Sequence, residues 1–404
     1  MSKLMGVRFS GPLEWYAEGF AAELARQGYR PPTGIRPQLF LVSHLSRWLA
    51  ERGLGLSVVG SPEVVEEFFA ARREAGYADH RTVKALAPLL AYLREMGVVG
   101  PAPVADPTAG ERLLERYRGY LVNERGLTAT TARGYVDAVR KFVTGREVDG
   151  ELEMAKLNAA EVTAFVVETC RGQSRGSAKM TVTALRSLLG FLHVDGALEG
   201  SLVAAVPAAA SWRLARLPQG LAPDEVSRLL AACDRRTRMG RRDFAVLMLL
   251  VRLGLRAGEV AALEFDDIDW RAGELVVRGK GDRRERLPLP DDVGQALVGY
   301  LQRGRPSTAQ GCCVLVRVRA PHGPMTTGAV SCVVLAAGRR AGLGTVRAHR
   351  LRHTVASQLL AAGAPLAEIG QLLRHRSQLT TAIYAKVDTE ALRTLARPWP
   401  GGVA

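Results

Sequence analysis

The residues of this 404-residue chain that could carry chemistry are cations, imidazoles and one tyrosine in its C-terminal half. In chain order they are Arg256, Lys280, His349, Arg352, His375 and Tyr384. In-line attack on a phosphodiester builds negative charge on the non-bridging oxygens. Guanidinium forks bind such oxygens bidentately in a way that lysine cannot imitate. A phosphoryl-transfer site needs a set of this kind.

Tyr384 is the candidate nucleophile of such a site. A tyrosine attacks weakly at its ordinary pKa of about 10, but a strongly positive pocket favours the phenolate. Its covalent phosphoester would conserve the bond energy for religation. Imidazoles would hydrogen-bond the phosphate, and Lys280 would protonate the departing oxygen. Alone, Tyr384 would more often be an apolar anchor on a helix, so this interpretation depends on the whole set.

Other common site chemistries lack their motifs in this sequence. There is no G-x-x-x-x-G-K-S/T, no H-E-x-x-H and no G-x-S-x-G pattern. The five cysteines are odd in number and lack C-x-x-C spacing, so we expect neither a zinc site nor a disulfide framework, and a reducing cytoplasm fits. The acidic stretch "FDDIDW" is better interpreted as a turn containing Asp266 and Asp267 than as metal ligands.

The charge of the chain indicates a polyanionic partner. It has 55 Lys and Arg residues against 40 Asp and Glu residues, a formal net charge of +15. Such an excess favours nucleic acid. A membrane partner is not expected, because the longest apolar stretch, Phe244 to Leu255, contains Arg252 and is too short to span a bilayer. That stretch predicts a buried core helix.

Two stretches rich in Pro, Gly and Ala, Val99 to Gly110 and Ala204 to Gly220, are predicted linkers that divide the chain into three parts. The first two parts resemble each other. Similarly spaced apolar residues predict one helical face in each part, namely Val83, Leu86, Leu90 and Leu93, and Val182, Leu185, Leu189 and Leu192. "EVVEEFF" from Glu63 also matches "EVTAFVV" from Glu161. We therefore predict a duplicated four-helix module, with chance similarity of amphipathic helices as the alternative.

The third part is predicted to be helical except for one β-hairpin. Pro223 suits the first turn of a helix. Between Gly273 and Pro290, β-prone runs flank a Gly/Asp turn that contains Lys280. Helices resume from about Thr327, and one of them would place His349 and Arg352 on the same side. The predicted fold class is mainly α with a small antiparallel sheet.

From about Leu221 to Val387, the sequence resembles the tyrosine recombinase (phage integrase) family. Four boxes occur in the family's order: "LGLRAGEVAALEFDDIDW", "VRGKGDRRERLPLP", "HRLRHTVAS" and "LLRHRSQLTTAIYAKV". The stretch from Arg116 to Phe142 is similar to the family's helical core-binding domain. The resemblance implies a SAM-like core-binding domain (106–210) and an α+β catalytic domain (217–404). The first predicted linker leaves an additional N-terminal helical domain (1–105), which we interpret as a possible duplicate of the core-binding module.

The resemblance also implies roles for the site residues. Tyr384 would attack the scissile phosphate, form a 3′-phosphotyrosyl link and release a 5′-hydroxyl. Lys280 would act as general acid, and Glu259 would orient the site from behind. The transition-state phosphate would be held by Arg256, His349, Arg352 and His375. No metal, ATP or other cofactor is implied.

The partners implied are double-stranded DNA and further subunits. A dimer would bind each inverted-repeat site, and a homotetramer would exchange strands through a Holliday junction, with sister recombinases in some systems. The resemblance further implies a cytoplasmic protein that serves the integration, excision or transposition of a mobile element. Type IB topoisomerase-like relaxation and a non-catalytic architectural role are the alternatives.

The sequence departs from the family pattern at two places. Arg374 stands where the family usually has glycine, one residue before His375. If the backbone there needs a positive φ, arginine is strained where glycine would not be. The second departure is the additional N-terminal module, which does not look like a small β-rich arm-binding domain.

Overall fold

The computed structural model describes residues 2–101, 106–208, 220–279 and 284–374. The described residues before 102 group with those after 215 in one compact unit, and residues 106–208 form a second unit. Within these ranges, three large hydrophobic cores run from Val7 to Val99, from Leu113 to Val206 and from Leu221 to Leu351. Each stretch between the predicted linkers therefore has its own core.

Residues 2–101 form a short β-hairpin and four helices. These are β1 (Ser2–Leu4), β2 (Val7–Phe9), α1 (Ala17–Arg26), α2 (Arg36–Glu51), α3 (Pro62–Glu74) and α4 (Ala87–Glu95). The side-chain oxygen of Ser61 accepts a hydrogen bond from the Val64 backbone and so caps α3. Phe20, Trp48 and Phe68 are buried in the core that the four helices share.

The predicted apolar face before residue 95 is correct for three of its four residues. Leu86, Leu90 and Leu93 are buried, whereas Val83 is 42% exposed. Val83 opens a 3₁₀ turn, Val83–Leu86, that precedes α4. Because a 3₁₀ turn has about three residues per turn instead of 3.6, the α-helical spacing does not carry Val83 into the core.

Residues 106–208 form four helices and a β-hairpin whose two strands have two residues each. These are α5 (Ala109–Asn123), α6 (Ala129–Thr144), β3 (Glu147–Val148), β4 (Glu151–Leu152), α7 (Ala159–Cys170) and α8 (Arg175–Val194). Each helix starts after a polar cap whose side chain accepts a backbone hydrogen bond, in order Thr108, Thr128, Asn158 and Ser174. The predicted apolar face of α8 is confirmed, because Val182, Leu185, Leu189 and Leu192 are all buried.

The first predicted linker ends earlier than Gly110. Thr108 and Glu111 form a reciprocal capping box that starts α5 at Ala109. Gly110 is buried inside the first turn of the helix. The high Gly and Pro content of the stretch predicted a linker. The start of the helix instead depends on only two side chains, those of the capping box.

The remaining described residues form helices around a small sheet. These are α9 (Pro223–Ala231), α10 (Arg238–Arg252), α11 (Ala257–Ala261), β5 (Ile268–Asp269), β6 (Glu274–Arg278), β7 (Arg284–Pro288), α12 (Asp291–Arg303), α13 (Thr327–Arg340), α14 (Ala348–Ala361) and α15 (Leu366–Leu372). The sheet is antiparallel throughout, with order β5–β6–β7. In register, Ile268 lies opposite Leu275, and Val276 lies opposite Arg286. The predicted hairpin is confirmed.

Helix α10 is the centre of this core. Every residue from Ala245 to Val251 is buried, which confirms the core helix predicted from the apolar stretch. The helix packs against α12 and α14. Among the described residues, no helix is both long and apolar enough to cross a membrane.

The segment that follows α1 contacts the loop between α12 and α13. The backbone N–H of His322 donates to the Gln27 carbonyl at 3.2 Å, just after α1. Gly28 has φ +90°, and a β-carbon there would lie 2.2 Å from the His322 ring. The positive φ favours glycine at residue 28, and a larger side chain there would also displace the His322 ring.

Candidate active site

The structure brings together four of the seven residues that the sequence singles out. Arg256, His349 and Arg352 line one cleft of about 620 Å³, and Glu259 hydrogen-bonds Arg256 from behind. The cleft lies between the start of α11, the outer face of α13 and the first turns of α14. Lys280, His375 and Tyr384 lie outside the described residues.

Arg256 is held in place at the N-terminus of α11. Its backbone N–H donates to Glu259 Oε2 at 2.8 Å, and its Nη1 donates to Glu259 Oε1 at 2.6 Å. Its Nη2 donates to the Arg374 carbonyl at 3.2 Å. The side chain nevertheless remains 44% exposed. These contacts use two of the five guanidinium N–H donors and leave the cleft side of the fork for a ligand.

Glu259 is buried, and its surroundings favour the deprotonated carboxylate. Burial acts to raise its pKa, but the hydrogen bond from the Arg256 backbone and the charges of Arg374 and Arg256 outweigh burial. Together they hold the pKa of Glu259 below its ordinary value. The "LGLRAGE" spacing explains the geometry, because a glutamate three residues into a helix reaches back to the residue that caps it.

Arg352 is fixed by the end of another helix. It is 2% exposed, and its Nη1 donates to the Gly254 carbonyl at 2.6 Å. Gly254 has φ +58°, and a β-carbon there would lie 2.7 Å from Leu373 Cδ2. Gly254 thus lets α10, α14 and the end of α15 approach each other closely. This junction sets Arg352, whereas Arg256 is set by Glu259 and Arg374.

The imidazoles of α14 are neutral at physiological pH. His349 and His353 stack edge to face, with ring centroids 4.4 Å apart. Burial, followed by the charges of Arg352 and Arg256, lowers the pKa of His349. Burial and the neighbouring His349 and Arg352 lower the pKa of His353 to about 4. A neutral imidazole can donate one hydrogen bond to a phosphate oxygen without adding charge.

An ion-pair network fixes the base of the hairpin that leads to Lys280. Arg278, at the end of β6, donates to Glu264 Oε2 at 2.6 Å and to Asp267 Oδ1 at 3.1 Å. The buried Asp267 also accepts from the Glu264 backbone at 2.9 Å. Asp266 and Asp267 lie in a 3₁₀ turn, Phe265–Asp267, as predicted. The part of the chain that the structure describes contains no group of His, Cys, Asp and Glu suited to a metal ion.

Arg374 is the site residue that sequence reasoning missed. Its backbone has φ +52°, the conformation that the missing glycine predicts. Its side chain is only 4% exposed, and its Nη2 donates to Glu259 Oε2 at 2.7 Å. In the sequence, this position stands out because arginine replaces the glycine that the family usually has there. No local signal indicates the ion pair, because its partners are 115 residues apart.

Two family models and several known proteins match this chain. The model of the Phage integrase family matches residues 219–391, and that of the Phage integrase N-terminal SAM-like domain matches residues 114–196. The Sinorhizobium fredii protein y4rA, named as an integrase/recombinase, is 41% identical over 396 residues, which cover 97% of this chain and 95% of the relative. Tyrosine recombinase XerD of Mycobacterium tuberculosis is 34% identical over 304 residues, which cover 71% of this chain and 96% of the relative.

Solved structures share the fold. The XerH site-specific recombinase, bound to a palindromic difH substrate, matches with a TM-score of 0.55 and 18% identity, covering 83% of this chain and 94% of that chain. A lambda integrase dimer bound to a COC′ core site matches with a TM-score of 0.53 and 20% identity, covering 72% of this chain and 98% of that chain. The predicted fold class, mainly α with a small antiparallel sheet, is confirmed.

Proposed function

This chain belongs to the phage integrase family of tyrosine recombinases, and we propose that it is the site-specific DNA recombinase of a mobile element. It cleaves and rejoins DNA strands through a 3′-phosphotyrosyl intermediate and a Holliday junction. The observation that carries this proposal is the cleft in which Arg256, His349 and Arg352 converge. Two guanidinium groups and a neutral imidazole suit the charge of a phosphate under attack.

The roles of the individual residues are part of the proposal. Tyr384 attacks the scissile phosphate, and Lys280 protonates the departing oxygen. His375 completes the set that binds the phosphate with Arg256, His349 and Arg352. The exposed fork of Arg256 and the buried Arg352 support this assignment, since both are fixed by contacts on the side away from the cleft.

The partners follow from the charge of the chain and from its relatives. A net charge of +15 suits double-stranded DNA. One structural neighbour is a lambda integrase tetramer bound to a Holliday junction, and another is the Tn1549 transposon integrase in complex with circular intermediate DNA. We infer that this chain also binds duplex DNA as an oligomer. A dimer on each inverted-repeat site and a tetramer in the synapse are the assemblies we propose, with sister recombinases as optional partners.

One experiment separates this function from its alternatives. The full-length protein is incubated with a nicked duplex that carries the terminal repeats of its element and, separately, with scrambled duplex. A detergent-resistant protein–DNA adduct on the repeats alone is the expected result. Adducts of equal yield on both duplexes would favour a type IB topoisomerase-like activity. No adduct on any duplex would favour an architectural protein.

We propose that the chain has three domains, residues 1–105, 106–210 and 217–404. Residues 2–101 and residues 106–208 each contain four helices around their own hydrophobic core, and this supports a duplicated core-binding-like module. We propose that the first module lengthens the DNA footprint or mediates subunit contacts. The contact of Gln27 with His322 would hold this module against the loop between α12 and α13.

Deletion of residues 1–105 tests the role of this module. We expect the footprint on a single site to shorten or the synaptic assembly to weaken, because one helical module and its basic side chains are lost. Nuclease protection and native gel mobility measure the two effects. Thermal unfolding of the shortened protein serves as the folding control. An unchanged footprint together with unchanged assembly would contradict the proposal.

A further inference from the structure

The Glu259 carboxylate lies between two guanidinium groups. Arg256 donates its backbone N–H and its Nη1 to this carboxylate, at 2.8 Å and 2.6 Å. Arg374 donates its Nη2 to the same carboxylate at 2.7 Å. The side chains of Glu259 and Arg374 are 5% and 4% exposed. Water therefore screens the pair of Glu259 and Arg374 very little.

Arg374 also contacts Arg256 directly. Its main-chain carbonyl accepts a hydrogen bond from Arg256 Nη2 at 3.2 Å. One residue thus restrains the Arg256 fork twice, once through its carbonyl and once through the carboxylate of Glu259. The backbone φ of +52° at Arg374 directs the carbonyl and the side chain to these two partners.

The conformation of Arg374 is unfavourable by itself. A left-handed backbone disfavours any residue with a β-carbon, and a buried charge loses its hydration. Its Nε has no hydrogen-bond partner among the described residues. A glycine would adopt the same φ without strain and would keep the carbonyl. What arginine adds over glycine is the ion pair with Glu259.

We propose that Arg374 is a positioning residue of the cleavage reaction, which fixes Glu259 and thereby aims the Arg256 fork at the scissile phosphate. This inference rests on the proposed recombinase function. Without Arg374, the Glu259 carboxylate keeps Arg256 as its charged partner and gains freedom to rotate. The fork then spends less time in the geometry that binds two phosphate oxygens.

The test compares Arg374→Gly, Arg374→Lys, Glu259→Gln and the double variant in the full-length protein. The measured quantity is the single-turnover rate of adduct formation on a nicked duplex at saturating DNA. For Arg374→Gly we expect a loss of about tenfold to a hundredfold, the usual effect of removing a hydrogen bond to a charged group. DNA affinity should stay close to wild type, and relief of the left-handed backbone strain should offset part of the stability that is lost with the ion pair. Arg374→Lys, which keeps the charge, should recover part of the rate.

The pH profile and the double variant distinguish positioning from folding. Among the described residues, the charged groups that face the Glu259 carboxylate are Arg256, at the start of α11, and Arg374, after α15. Loss of Arg374 lets the pKa of Glu259 rise, so the acid limb of the rate profile moves to higher pH. The double variant should lose less than the product of the two single losses, because both remove the same contact.

A matched control is available in the pair of Arg242 and Asp243. This pair joins an arginine and a buried carboxylate at 2.6 Å, and neither residue lines the cleft. Arg242→Ala should lower thermal stability without moving the acid limb. If Arg374→Gly cleaves DNA at the wild-type rate and the acid limb of its rate profile does not move, this inference is overturned and the proposed function stands. A loss that only follows the folded fraction would also overturn this inference. A wild-type protein that forms no adduct would overturn the proposed function and this inference with it.

Discussion

Replacement of Tyr384 by phenylalanine is expected to abolish the covalent protein–DNA adduct. Phenylalanine keeps the ring and removes only the hydroxyl that would attack the phosphate. Because the phosphotyrosyl link cannot form without the attacking hydroxyl, the cleavage rate should fall by more than about 10⁴-fold. DNA affinity should change by less than about twofold, because the phosphate contacts belong to the cationic side chains.

Labelled duplex in a denaturing gel measures the adduct, and a filter-binding or mobility-shift assay measures affinity. The control is Tyr300→Phe, in the core that surrounds α10. The Tyr300 hydroxyl accepts a hydrogen bond from the Val316 backbone in the core, so this variant should lose stability but still form the adduct. An adduct formed by Tyr384→Phe at the wild-type rate would mean that another residue is the nucleophile.

Replacement of Arg256 by lysine is expected to slow cleavage by about a hundredfold to a thousandfold, the usual loss when a transition-state donor is removed. The charge is retained, so the variant isolates the geometry of the fork. Arg256 contacts Glu259 and the Arg374 carbonyl with its two Nη groups while it remains 44% exposed to the cleft. A lysine ammonium cannot bind both partners and two phosphate oxygens at once.

Single-turnover cleavage at saturating DNA measures this loss separately from binding. Arg271→Lys is the matched control, because Arg271 is exposed in the turn between β5 and β6 and donates no side-chain bond to the cleft. That variant should cleave within about twofold of wild type. A rate for Arg256→Lys within threefold of wild type would contradict a bidentate role for Arg256.

Much of the fold could be predicted because its signals are local. A capping oxygen, an apolar residue every three or four positions and a Gly/Asp turn act over a few residues. They predicted the core helix from Phe244 to Leu255 and the hairpin before Pro290. They failed at Val83 and Gly110, where a 3₁₀ turn and a capping box override the composition.

The sequence by itself determined the order of the site residues, their family and the mainly α fold. It also determined that residue 374 departs from the family pattern. Only the tertiary structure decided that Arg374 pairs with Glu259, and that Gly254 joins α10, α14 and α15. The contacts of Arg352 with Gly254 and of Arg374 with Glu259 cross 98 and 115 residues of chain. Their formation depends on how the helices pack, and the spacing of residues along the chain does not predict that packing.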